Sequence, residues 1–114
     1  MKEEKFKIAN QTKKLIMDID TYLVNFPRKE IELKQNIKNS SFKLLLLVYE
    51  ANASSSTERR ITLQEEAIAL IKYLDFLINM CYEKQIINSK KYLRFGESLE
   101  IILRYVNAWK KAEV

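Results

Sequence analysis

The chain has 114 residues, 47% of them hydrophobic and 31% charged, with a net charge of +5, one cysteine and no histidine. That composition excludes a disordered tail and an intrachain disulfide. It also excludes every chemistry that needs an imidazole: Ser-His-Asp and Cys-His catalysis, histidine-ligated zinc, and the Glu-x-x-His motif of di-iron bundles. A chain of this size buries about two thirds of its unfolded surface, so residues 1–114 are read as one domain whose core needs no metal or disulfide staple. A single glycine and a single proline leave little turn chemistry, and abundant Leu, Ile, Lys, Glu and Ala favour long helices over strands.

Along the first segment Leu15, Ile16, Ile19, Leu23 and Phe26 recur at three- and four-residue steps, which marks one buried helical stripe with Lys13, Lys14 and Asp18 outside it. Pro27 disfavours helical geometry in the residue before it and suits the first turn of a new helix, so the first helix is expected to stop at Asn25 and Phe26. The second helix is read from about Pro27 to Ala53. Ile37, Leu44, Leu45, Val48 and Ala51 form its main stripe, and "LLLLVY" at 44–49 is apolar on every side, more surface than one seam absorbs.

"SSTE", Ser55 to Glu58, fits a capping box that opens the third helix. Leu63, Ala67, Leu70, Leu74, Leu77 and Cys81 form one stripe of that helix, and Ile61, Ile68, Ile71 and Ile78 form a second beside it. Asn88 or Ser89 caps a fourth helix running to about Lys111, with Tyr92, Phe95, Leu99, Ile102, Val106 and Trp109 inward. Four helices with short connections make an all-α, antiparallel up-down four-helix bundle. The surplus apolar faces of the second and third helices are expected to be buried between subunits.

Catalytic constellations are absent from the pattern. Glu65 with Glu66, and Asp18 with Asp20, sit at adjacent or alternate positions that do not converge on a helix surface. Cys81 lies in an apolar stripe without a neighbouring base and reads as a structural thiol. The glycines of phosphate loops and dinucleotide folds are missing. No enzyme activity, metal or cofactor is expected. The single cysteine fits a reducing compartment, "MKEEKFKIAN" lacks the apolar core of a signal peptide, and the longest apolar run is far short of a membrane span, so a cytoplasmic location with no membrane partner is expected.

The basic residues carry the remaining signal. Arg28, Lys29, Lys90, Lys91 and Arg94 fall at the starts of the second and fourth helices, which share one end of an up-down bundle, and Arg59 and Arg60 fall at the other. Lys34 and Lys38, at i and i+4, extend the first cluster along the second helix. These positions fit either a charged solvated face or a polyanion site. Arg104 lies on the polar side of the fourth helix among Glu97, Glu100 and Lys111, where a surface ion pair is its plain role.

Pro27 with Arg28 and Glu30 after a hydrophobic helix end, "LLLLVYEAN" at 44–52, "LIKYLDFLINM" at 70–80 and "ILRYVNAW" at 102–109 resemble, in order and spacing, the accessory variability determinant proteins of diversity-generating retroelements. The resemblance covers nearly the whole chain. That family belongs to a superfamily of small four-helix bundles that also contains the ribosomal RNA intervening-sequence proteins, whose usual Asn-Ile-Ala-Glu-Gly signature this chain lacks.

The resemblance implies a homopentameric barrel with basic surfaces that binds the reverse transcriptase of its element, together with RNA or DNA without strong sequence preference, to support mutagenic cDNA synthesis. It makes Arg28 and Lys29 part of a basic rim, and Arg104 and Trp109 match the arginine and tryptophan of the family's C-terminal motif. The chain departs from the family in carrying Leu103 and Asn107 where glycines are frequent, and Asp75 where an arginine is usual. The alternative is an oligomeric bundle of structural or interaction role, like the intervening-sequence branch.

Overall fold

A computed structural model describes the backbone of residues 2–113 and the side chains of residues 7–113. Four helices run in chain order: α1 (Lys2–Tyr22), α2 (Ile31–Ala53), α3 (Thr57–Glu83) and α4 (Ser89–Lys111), with a single 3-10 turn, Arg28–Glu30, leading into α2. No strand occurs among the described residues. Helices α1 and α3 each pack against both α2 and α4. Every adjacent pair is antiparallel. Lys13 lies over Tyr49 while Asp20 meets Lys38, and Glu65 meets Lys110 while Asn79 meets Tyr92. The result is a rod of 44 × 23 × 19 Å, about the length that the longest helix demands.

One core runs through all four helices. Ile8, Leu15, Ile19, Leu23, Ile37, Leu44, Val48, Leu63, Leu74, Phe95, Ile102, Val106 and Trp109 are buried in it. The second apolar stripe of α3 divides: Ile71 and Ile78 are buried within the chain, and Ile61 and Ile68 are half-buried. Since α3 touches both α2 and α4, its second stripe also finds cover within the chain. The surplus is therefore smaller than periodicity implies. Of "LLLLVY", Leu44, Leu47 and Val48 are buried, Leu45 is half-buried, and Leu46 and Tyr49 are exposed. Two buried hydroxyls are satisfied by their own helix, Thr12 Oγ1 donating to the Ile8 carbonyl at 2.8 Å and Ser41 Oγ to the Lys38 carbonyl at 2.8 Å.

Three boundaries differ from the sequence reading: the end of α1, the start of α2, which is Ile31 rather than about Pro27, and the N-cap of α3. Helix α1 ends at Tyr22, three residues early, and Pro27 (φ −60°, ψ 154°) is extended rather than in a first helical turn. The ring of Pro27 blocks an α-helical Phe26, so the chain crosses between helices in extended form. The N-cap of α3 is Ser56, not Ser55: its hydroxyl accepts from the Arg59 amide at 3.2 Å. Residue three beyond this cap is Arg59, so no glutamate closes a capping box. The start of α4 follows expectation, with the Asn88 side chain accepting from the Lys91 amide at 2.9 Å.

Candidate nucleic-acid interface

The 3-10 turn closes through the Glu30 amide donating to the Pro27 carbonyl at 2.9 Å, which leaves Arg28 and Lys29 exposed on its outside. Glu30 turns back to Lys84 at 2.9 Å and anchors the turn to the last turn of α3. The start of α4 lies at the same end, because Lys91 Nζ donates to the Tyr22 carbonyl at 3.2 Å. A cation on a C-terminal carbonyl of α1 satisfies an orphan acceptor and complements the helix dipole. That bond leaves Lys91 half-buried, whereas its neighbour Lys90 is exposed.

The remaining cations divide by whether a carboxylate already holds them. Arg94 sits 3.6 Å from Asp18, and its guanidinium lies 4.6 Å above the Tyr22 ring. Lys38 meets Asp20 at 3.8 Å, and Arg59 meets Glu50 at 3.6 Å. Arg60 is the most committed. Its Nε and one terminal nitrogen grip Glu113 at 2.9 and 3.0 Å, and it also donates to the Ser54 carbonyl and the Thr57 hydroxyl. The Glu113 hydrogen bond raises the pKa of Arg60 above its ordinary value despite the opposing effect of burial. Gln64, fully buried, donates to the same carboxylate at 3.0 Å, so the end of the chain is clamped to the start of α3.

Of the cations read from the sequence, Arg28, Lys29, Lys34, Lys90, Lys91 and Arg104 have no carboxylate within ion-pairing distance among the described residues. Arg104 projects from the outer face of α4 and makes no ion pair with Glu97 or Glu100. Trp109, the other half of the matched motif, is in the core. The charge left available at the 3-10 turn end is thus Arg28, Lys29 and Lys90, with Lys34 half-buried behind them.

Sequence reading missed the aromatic and amide groups at this end. Tyr82 and Tyr92 stack with ring centroids 4.5 Å apart and planes 14° from parallel, and the Tyr92 hydroxyl donates to Asn79. A cavity of about 610 Å³ opens beside Tyr82. The only available signal was a tyrosine at each side of a turn rich in lysine and amides, ten residues apart, and periodicity does not register it.

Among the described residues no cluster of three or more Cys, Asp or Glu lies close enough to hold a metal ion, and no helix is long and apolar enough to cross a membrane. No family model matches the chain, and no curated protein or solved structure matches it either.

Proposed function

We propose that the chain is a non-catalytic accessory protein of a diversity-generating retroelement, acting in the cytoplasm as a ring of identical subunits, a pentamer by resemblance. In this reading it binds the element's reverse transcriptase and nucleic acid through basic surfaces. The observation that carries the reading is that, among the described residues, three exposed cations without a carboxylate partner, Arg28, Lys29 and Lys90, gather at one end of the bundle and a fourth, Arg104, lies on the outer face of α4. The other exposed unpaired lysines, Lys7, Lys13, Lys14, Lys43, Lys72 and Lys111, are instead spread over all four helices. A cation already neutralised by a neighbour releases few counterions when phosphate arrives, whereas an unpaired one contributes its full share to salt-dependent binding. Arg59, Arg60 and Arg94 therefore serve chiefly as intramolecular contacts, and the rim rests on the unpaired set.

Co-expression with the reverse transcriptase of the same element, followed by pull-down in moderate salt with and without nuclease, tests this directly. Arg104→Glu weakens capture of the enzyme while leaving helicity intact, because Arg104 is exposed and makes no ion pair among the described residues. Leu74→Ala instead acts through folding, at about 2 to 5 kcal/mol for a buried leucine. Asp75 is exposed and lines a groove with Gly96 and Glu100. Placing a like charge against a basic partner surface, Asp75→Arg impairs the complex. Failure of the wild-type protein to co-purify under either condition removes the accessory-protein reading and leaves an oligomeric bundle.

A further inference from the structure

The corner between α3 and α4 is built by a helix stop of unusual composition. Gln85 adopts a left-handed conformation (φ 62°), the only non-glycine with positive φ among the described residues. The Ile86 amide donates to the Cys81 carbonyl at 2.8 Å and the Gln85 amide to the Tyr82 carbonyl at 3.0 Å. These are the paired bonds of a Schellman motif with glutamine at the position glycine normally takes. The stop turns Ile86 and Ile87 into the end of the core and leaves Tyr82 outside, 39% exposed.

Tyr82 is not an isolated surface ring. One face is covered by Tyr92, which the Asn79 hydrogen bond holds in place, so the pair is a rigid aromatic step. Tyr82 lines the cavity of about 610 Å³ together with Asn25, Glu83, Gln85, Asn88, Lys91 and the two isoleucines of the turn, and Tyr92 does not. That volume lies within the range of small-ligand sites, about 300 to 1,000 Å³. The wall therefore combines one stacking surface, three amides, one carboxylate, two isoleucines and a lysine, Lys91, whose ammonium is held by the Tyr22 carbonyl, and the unpaired cations Lys90, Arg28 and Lys29 lie at the same end of the bundle.

We propose that this cleft receives an unpaired base of a single-stranded RNA or DNA, stacked on the face of Tyr82 that Tyr92 leaves open, while Lys90, Arg28 and Lys29 engage the flanking phosphates. The inference rests on the basic-surface reading above and adds the strandedness of the ligand and the residue that recognises it. Glu83 sets the polarity of the arrangement. A carboxylate in the cleft repels phosphate, so the backbone stays at the cationic rim, whereas the same carboxylate accepts a hydrogen bond from a base N–H, the ring imide of uracil or an exocyclic amine. The amides of Asn25 and Gln85 offer both donors and acceptors, and Asn88, whose oxygen caps α4, adds a donor, so the set tolerates different base edges. A duplex cannot use the site, because its bases are already stacked and paired.

Fluorescence anisotropy at one fixed salt concentration, with a short labelled oligo-uridylate, a strand of the same length carrying abasic nucleotides, and a duplex, tests the assignment. Tyr82→Ala is expected to lose affinity for the base-bearing strand by roughly 5- to 150-fold, the range measured when a stacking aromatic is removed. Tyr82→Phe keeps that affinity, and neither change alters binding of the abasic strand or the duplex. Circular dichroism checks that helicity is unchanged, as exposure of Tyr82 implies. Equal affinity of wild type and Tyr82→Ala for the base-bearing strand overturns the stacking site, as does equal wild-type affinity for base-bearing and abasic strands. In both cases binding that does not depend on the base persists and the basic rim stands. If the wild-type protein binds none of the three probes, the nucleic-acid part of the proposed function falls together with the site.

Discussion

Cys81 is the residue whose environment most constrains its chemistry. It is fully buried in the last turns of α3, and that burial, with the Glu30 carboxylate adding to it, pushes the thiol up to about 11. A raised thiol pKa stabilises the fold only while the unfolded thiol is also protonated. The contribution is present below the unfolded value of about 9.0 and is lost as pH rises towards 11, because the unfolded state releases its proton first. Stability is therefore expected to fall between those limits, by up to about 2 to 3 kcal/mol at the top of the window. Denaturant titrations across alkaline pH check this by comparison with Cys81→Ala, which keeps the lysine and tyrosine titrations and loses only the thiol's share of the slope. Identical slopes would mean that the thiol already ionises in the folded protein. Arg60 illustrates a different constraint, since a fork of hydrogen bonds to Glu113 spends it on holding the end of the chain.

At the scale of elements, α4 contains the chain's only glycine. Gly96 lies inside the helix, and a Cβ added there would meet nothing within 4 Å. Glycine in a helix interior is about 0.8 to 1 kcal/mol less favourable than alanine, so Gly96→Ala is expected to raise the melting temperature, as calorimetry would record. A loss of stability would indicate a close neighbour at that position in the assembled protein. The four helices and their order were legible because strong three- and four-residue periodicity continues over each of them. Their ends were less legible: three consecutive serines precede α3, and only the hydrogen bond to Arg59 distinguishes Ser56 from Ser55. The cationic positions were legible as residues but not as a site. Asp18 and Arg94 are 76 positions apart, and the carbonyl that holds Lys91 belongs to Tyr22, so which cations are neutralised depends on the packing of α1 against α4. The stack of Tyr82 on Tyr92 was hidden for the same reason, since a turn rather than a helical repeat brings the rings together.

On the scale of the whole molecule, the folded chain leaves a continuous apolar ridge on α2. Phe42, Leu46 and Tyr49, at i, i+4 and i+7, are 55%, 50% and 43% exposed. Beside them Met17 is 62% exposed and shares with Phe42 a groove of about 230 Å³ between α1 and α2. Single exposed apolar residues are ordinary on a monomer, but a ridge with a groove beside it has the form of an interface. Burying each such side chain contributes about 1.5 to 3 kcal/mol. In the proposed ring this ridge packs against a neighbouring subunit, and the repeated cationic ends lie together. Phe42→Glu with Leu46→Glu is therefore expected to reduce the particle mass to that of a monomer by light scattering, with helicity unchanged because both residues lie outside the core. The same double variant should lose nucleic-acid affinity although no cation is altered, since linked sites bind a polyanion more tightly than single ones, by as much as about 10²- to 10⁴-fold. Its salt dependence should also become shallower, as fewer phosphates are contacted at once. Wild-type protein that is monomeric at micromolar concentration would remove the ring. A double variant that becomes monomeric yet binds with unchanged affinity and salt slope would show that one subunit's rim suffices for recognition and that assembly serves capture of the enzyme instead.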